Sequence, residues 1–357
     1  MRLFRFYAFG AALAGVAGCG SRTGLLVVDE PPPDGVDASD ATVPVDAGLD
    51  ALPDVAPDQF VDAPLDAAPD GVDAPPDVVD TGADVMVDAH PVPIGCEDAG
   101  AASTLIYLIT VQSDLWSFYP PSLEFHKIGP INCPTLPTMP TPFSMAVNES
   151  GIAYVVYSDG ELFRLSTADA QCTSTSFQID QEGFKTFGMG YSHNASGAGE
   201  MLYVASDDDA GVVSRLGYID TTNFALHTIG AFPPSVVTAE LTGTGAGDLY
   251  AFYSLSPGFE SFSPPPSAIG HIDKANGNLI GAPIPLEAIG QGCAWAFAFW
   301  GGDFYTFTAP PVGGLCPKTG GSIVSRINPT DGSIVSPYTT LGEQIVGAGV
   351  STCAPQE

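Results

Sequence analysis

From residue 105 onward, apolar and polar residues alternate in short runs, and the runs recur at a nearly constant spacing. Five of them carry a tyrosine: Leu105-Ile106-Tyr107, Ile152-Ala153-Tyr154, Met201-Leu202-Tyr203, Asp248-Leu249-Tyr250 and Asp303-Phe304-Tyr305. The tyrosines step by 47, 49, 47 and 55 residues. A period of two marks a strand, because successive side chains point to opposite faces. Each tyrosine strand is followed by a second alternating run: Leu115–Phe118, Leu162–Leu165, Leu216–Ile219, Ile269–Ile272 and Val324–Ile327. Three of these exit through Ile-Asp or Ile-Asn into 219–223, 272–277 and 327–332, where Asn, Asp and Gly supply turn chemistry.

Before every tyrosine strand except the first lies a run in which large and small residues alternate: Phe143–Val147, Phe187–Tyr191, Val237–Leu241 and Trp295–Phe299. The first repeat lacks one, and the C-terminus supplies it as Val346-Gly347-Ala348-Gly349-Val350. Four strands per unit at this period predict an all-β fold, a five-bladed β-propeller spanning 96–357. Small residues at alternate positions suit the innermost strands, where sheets crowd at the axis. The C-terminal strand then fills the empty inner place of the first repeat and closes the ring, leaving few free edges. A β-sandwich is the competing architecture, but it does not predict an inner strand missing at the start and restored at the end.

The Ile-Asp/Asn-x-x-x-Gly turns resemble those of bacterial propellers with quinoprotein-like (pyrroloquinoline-quinone-type) and YVTN-type extracytoplasmic repeats. That resemblance covers about 250 residues and implies a propeller outside the cytoplasm. The tryptophan that usually ends the quinone-type repeat is absent, so no cofactor ligand carries over and no cofactor is expected.

The first residues give the same address. Arg2 and Arg5 precede an apolar run from Phe6 to Ala17, too short to span a bilayer but suited to a secretory signal. The run ends in Val16-Ala17-Gly18-Cys19, which resembles the bacterial lipobox, and that resemblance implies lipidation of Cys19. Gly rather than Asp at position 20 leans toward the outer membrane. The overall arrangement also resembles secreted lipoproteins common in predatory soil bacteria. The expected organisation is a signal peptide over 1–18, a lipidated N-terminus over 19–27, a linker over 28–95 and the propeller domain over 96–357.

The linker region carries Asp every three or four residues among Ala, Pro and Val, and Asp46 to Asp70 keep a strict step of four. Prolines at 53, 57, 64 and 69 forbid the helix that this step would otherwise favour. With one aromatic residue, Phe60, the segment cannot bury enough apolar surface to order itself, so a disordered, self-repelling spacer is expected. A coil of this length spans roughly 45 Å. A calcium-binding repeat is the alternative, but no Asp-x-Asp occurs there.

Of the chain's 41 acids and 10 bases, 17 acids and no base fall in 28–90, and 24 acids with 7 bases fall in 91–357. Such a domain is a poor partner for nucleic acid. It is also repelled by an anionic membrane surface, so membrane contact is left to the lipid.

Beyond Cys19 there are six cysteines, an even number in an exported domain, for which disulfides are expected. Ring closure brings Cys96 and Cys353 to one hairpin. Cys293 and Cys316 share the fifth repeat, and Cys133 and Cys172 sit in adjacent repeats; these are the other two pairs expected. Metal binding by cysteine is the alternative, without a Cys-x-x-Cys to support it.

Catalytic motifs are not legible. The histidines at 90, 126, 193, 227 and 271 are scattered, and neither a Gly-x-Ser-x-Gly nor a phosphate loop occurs. Glu240 stands out as the weak catalytic candidate, aligned with Ala146, Gly190, Ala298 and Gly349 on the inner strands. Asp207, Asp208 and Asp209 in a hairpin are weak metal candidates. Inserts at 256–267 and 308–321 lengthen two loops and could shape a binding face. The function expected is a lipid-anchored envelope module binding an unidentified extracytoplasmic glycan, peptide or protein. A hydrolase or lyase at the axial channel around Glu240 and a purely structural lipoprotein are the alternatives.

Overall fold

The computed structural model describes Cys96 and residues 101–357, except 137–138, 195–198, 208–213, 257–264 and 318. The signal peptide, Cys19, the linker, Asp208 and Asp209 lie outside the described residues. Among the described residues, no helix is long and apolar enough to cross a membrane.

Twenty strands form five four-stranded antiparallel sheets. The first sheet contains β1 (Ile106–Thr110), β2 (Asp114–Tyr119) and β3 (Glu124–Pro130). The second contains β4 (Pro142–Val147), β5 (Ile152–Tyr157), β6 (Leu162–Ser166) and β7 (Cys172–Ser174). The third runs through β8 (Phe187–His193), β9 (Glu200–Ser206), β10 (Arg215–Asp220) and β11 (Ala225–Ala231). In the fourth are β12 (Val237–Gly243), β13 (Leu249–Ser254), β14 (Ser267–Ile272) and β15 (Leu279–Leu286). The fifth holds β16 (Ala294–Trp300), β17 (Asp303–Ala309), β18 (Ser322–Ile327) and β19 (Ile334–Leu341). The last strand, β20 (Ile345–Val350), returns to the first sheet and pairs with β1, so that sheet's order is β20-β1-β2-β3.

The register of this closing pair places Tyr107 opposite Gly349 and Leu108 opposite Ala348. Equivalent rungs recur around the ring: Tyr154 faces Ala146, Tyr203 faces Gly190 and Tyr305 faces Ala298. The protein is therefore a five-bladed β-propeller closed by its C-terminal strand. The inner strands β4, β8, β12, β16 and β20 touch in a ring.

The crowding explains the large–small alternation. A Cβ on Gly190 would lie 2.8 Å from the carbonyl carbon of Leu241 on the neighbouring inner strand, and one on Gly347 would lie 2.8 Å from the amide nitrogen of Met145. The larger residues on these strands pack between sheets instead. Strands β4, β8, β17 and β20 are buried at every position, whereas the outer strand β3 is mostly exposed.

Five apolar clusters fill the wedges between neighbouring sheets. Phe187, Met189 and Leu202 of the third sheet pack with Phe143 and Val156 of the second. Phe118 and Leu108 of the first pack with Phe307 and Val324 of the fifth.

Disulfides join Cys96 to Cys353, Cys133 to Cys172 and Cys293 to Cys316, with Cα atoms 5.4, 4.9 and 5.3 Å apart. These are the pairs expected from the repeat. Three bridges in one domain suit an oxidising, extracytoplasmic compartment.

Replacing Cys96 and Cys353 together by serine should lower the unfolding free energy by about 3–5 kcal/mol in denaturant titration. Opening the Cys293–Cys316 loop, of separation 23 against 257, should cost less. An equal or larger loss from the short loop would argue against a ring held shut at its ends.

Candidate functional site

The inner strands run parallel, so the ring has two unlike ends. One carries the hairpins after the inner strands and the C-terminal tail. The other carries the loops between the second and third strands of each sheet.

At the tail end, residues 351–357 lie across the axis. Ser351, Thr352 and Ala354 are buried. Gly301 N–H donates to the Pro355 carbonyl (2.7 Å), Gly245 N–H donates to Gln356 Oε1 (3.1 Å), and the Thr352 hydroxyl donates to Glu200 Oε2 (2.8 Å). Hairpins of the fifth, fourth and third sheets thus hold the tail, which stops that end of the axis.

The void lined by Ala146, Met189, Gly190, Leu241 and Gly349 measures only ≈ 10 Å³, room for about one water. Glu240 has no exposed surface. Its Oε1 accepts from the Ser144 hydroxyl at 2.5 Å and from Met189 N–H at 3.4 Å, so one carboxylate ties three inner strands together.

Its depth differs from the expected one. The residue level with Ala146, Gly190, Ala298 and Gly349 is Thr242, opposite Tyr250, whereas Glu240 faces Phe252 two rungs away, level with Ser144. The cause is the strand period itself: a slip by two residues keeps every side chain on its face, so alternation fixes direction but not depth. The inner strand of the fourth sheet also begins irregularly, with Thr238 at a φ of 48°.

Three other titratable groups converge beside the tail. His193 ends β8, and its register partner Glu200 begins β9 across the same hairpin. Glu149 lies in the corresponding hairpin of the second sheet, held at its base by the Asn148 N–H to Ile152 carbonyl bond (2.9 Å). One donor atom from each of the three lies within 4.8 Å of the others.

His193 is 2% exposed, and its Nε2 sits 3.6 Å from Glu149 Oε2 without a hydrogen-bond partner. Glu149 N–H donates to Glu200 Oε1 at 2.7 Å. Burial pushes the Glu200 carboxyl up to about 7, and the Glu149 charge adds to the rise, while the Glu149 amide and the Thr352 hydroxyl oppose it.

In the sequence His193 is one of five scattered histidines, and neither Glu149 nor Glu200 stands in a metal-ligand spacing with it. Overlaying the hairpins that follow β4 and β8 would have shown all three at equivalent corners. The other candidates separate from this cluster. His271 stacks on Tyr250 and lies 3.2 Å from Asp248. Asp207, the one described member of its acidic run, donates its backbone N–H to the Thr186 carbonyl at the opposite end of the ring (2.9 Å).

A pocket of ≈ 370 Å³ lies between the 308–321 insert and the start of β20, walled by Pro310, Val312, Pro317, Ile323, Leu341 and Gln344. The Cys293–Cys316 bridge fastens the insert to the base of β16, and Gln344 Nε2 donates to the Pro317 carbonyl at 2.9 Å. Val312 and Leu315 at the tip of the insert are exposed. Of the two long inserts, 308–321 therefore does form a wall; 257–264 of the other lies outside the described residues.

If the Ser144–Glu240 bond ties the inner strands, a double-mutant cycle of Ser144→Ala with Glu240→Gln should return a coupling of at least about 0.5 kcal/mol in denaturant unfolding. Strict additivity would show that the two groups act independently.

No family model matches the chain, and no curated protein matches it. Similar solved structures include a protein of unknown function from Bacteroides caccae, at 12% identity over 67% of this chain and 73% of that one, with a TM-score of 0.33. The Dos1 propeller is similar at 10% identity over 71% of each chain, TM-score 0.34. TolB from Acinetobacter baumannii is similar at 10% identity over 68% of this chain and 54% of that one, TM-score 0.36. Likenesses of this size carry no functional argument, and the fold stands on the strand pairing above.

Proposed function

We propose that this chain is a lipid-anchored binding module of the cell envelope, tethered by lipidated Cys19 in the outer membrane. The acidic linker then acts as a spacer, and the propeller presents its loop end to a protein or peptide ligand. The observation that carries this reading is the ≈ 370 Å³ pocket beside a disulfide-fastened insert. A concave, mostly apolar pocket on a rigid scaffold is the usual form of a binding site.

Its chemistry narrows the ligand. Pro310, Val312, Ile323 and Leu341 offer apolar contact and few donors, which suits an apolar anchor side chain better than a sugar. The domain's excess of 24 acids over 7 bases in 91–357 favours basic residues flanking that anchor. A hydrolase or lyase centred on Glu240 is the less supported reading, because that side chain is fully buried and its Oε1 is held by Ser144 and Met189.

The full chain probed on peptide and glycan arrays should retain peptides with an apolar residue flanked by Lys or Arg. Val312→Asp, at a position 67% exposed, should weaken capture about tenfold, equivalent to about 1.4 kcal/mol, without lowering stability. Retention of glycans alone, or capture unchanged by Val312→Asp, would overturn the reading. For the anchor, Cys19→Ala should move the expressed chain from the detergent phase to the aqueous phase on Triton partitioning. A chain that partitions identically with and without Cys19 would contradict lipidation.

A further inference from the structure

We infer that Glu149, His193 and Glu200 form a site for one divalent cation of the zinc class, at the tail end of the ring and independent of the loop-end pocket. The first observation is the convergence itself: three donor atoms from two adjacent sheets lie within 4.8 Å of one another. The second is the imidazole, 2% exposed, whose Nε2 is aimed at Glu149 and has no hydrogen-bond partner. A buried ring nitrogen is normally satisfied, and a metal ion would satisfy this one.

The third observation is charge. Two carboxylates lie side by side at a partly buried corner, and among the described residues no Lys or Arg bridges either of them. The nearby Lys274 ammonium is committed elsewhere, donating to the His193 carbonyl at 2.6 Å and to Ser192 Oγ at 3.1 Å. A cation between the carboxylates supplies the missing compensation.

The donor set selects the ion. One imidazole nitrogen with two carboxylate oxygens suits zinc and its neighbours, whereas calcium and magnesium take shells of oxygen alone. Ligand bonds of about 2.0–2.2 Å put tetrahedral donors about 3.4 Å apart, so the cluster must contract modestly. Glu149, on a hairpin and with its side chain 33% exposed, has the freedom to do so. The Glu149 amide and the Thr352 hydroxyl already orient the Glu200 oxygens, as outer partners of metal ligands commonly do.

The consequence is mechanical. The ion joins the hairpins of the second and third sheets at a carboxylate that also holds the tail one residue before Cys353. Ion and disulfide together would fasten the end of the chain that closes the ring.

The test uses the full chain, stripped with EDTA and titrated with Zn2+ or Ca2+ by calorimetry and thermal melting. Glu149→Gln and His193→Gln are run in parallel. One Zn2+ per chain should bind at a component that Glu149→Gln weakens at least tenfold, and Tm should rise by about 5 °C at a hundredfold excess over Kd. Co2+ at the same site should give the visible absorption of a tetrahedral centre, absent in Glu149→Gln. Because Glu149 is partly exposed, that variant keeps the test decisive even if the buried His193→Gln fails to fold. No Zn2+ binding, or Zn2+ binding that Glu149→Gln leaves unchanged because the acidic linker holds the ions, overturns the proposal. So does a Glu149-dependent site filled by Ca2+ and not by Zn2+.

Discussion

No sheet in this protein has a hydrophobic core of its own. Each buries its apolar faces only against the two sheets beside it, as the pairing of Phe118 with Phe307 and of Phe143 with Phe187 shows. An open row of five would leave two such faces in water, at about 25 cal/mol for every Å² of apolar surface. Closure is therefore the constraint on which the rest depends. It is met by a strand from the far end of the chain, β20, that completes the sheet begun by β1. The inner strands then approach so closely that a Cβ at Gly190 or Gly347 would meet the backbone of the neighbouring inner strand.

Closure also sorts the two ends by task. At one end residues 351–357 are held by hairpins of the third, fourth and fifth sheets, and the Cys96–Cys353 bridge ties the same segment to the start of the domain. Inside the ring, Glu240 Oε1 accepts from Ser144 and Met189 and so links three inner strands. At the other end the loops carry no closing duty, so they can lengthen. The 308–321 insert has done so, and its own disulfide limits the entropy it would otherwise retain. Extracellular binding proteins commonly place variable loops on a rigid frame in this way.

Much of the frame was legible because the repeat carries redundant signals. Tyrosine spacing, large–small alternation and the displaced Val346–Val350 run each pointed to the same ring, and the ring then brought the cysteines into pairs. What escaped has physical reasons. Glu240 was given the right face and the wrong depth, since a strand pattern is unchanged by a shift of two residues. The Glu149–His193–Glu200 corner spans residues 149 to 200 and two sheets. No spacing rule for metal ligands covers donors brought together by the curvature of a ring. The loop-end pocket depends on how the 308–321 insert folds back, which its prolines and glycines suggest only as a turn-rich wall.

Native-state hydrogen exchange on the full chain tests the closure most directly. The amides of Ile345–Val350 should exchange as slowly as those of Ile106–Thr110, because the two strands open only when the ring does. Rapid exchange across Ile345–Val350 while β4, β8, β12 and β16 stay protected would mean that the last strand does not complete the first sheet, and the account of the ring would fail.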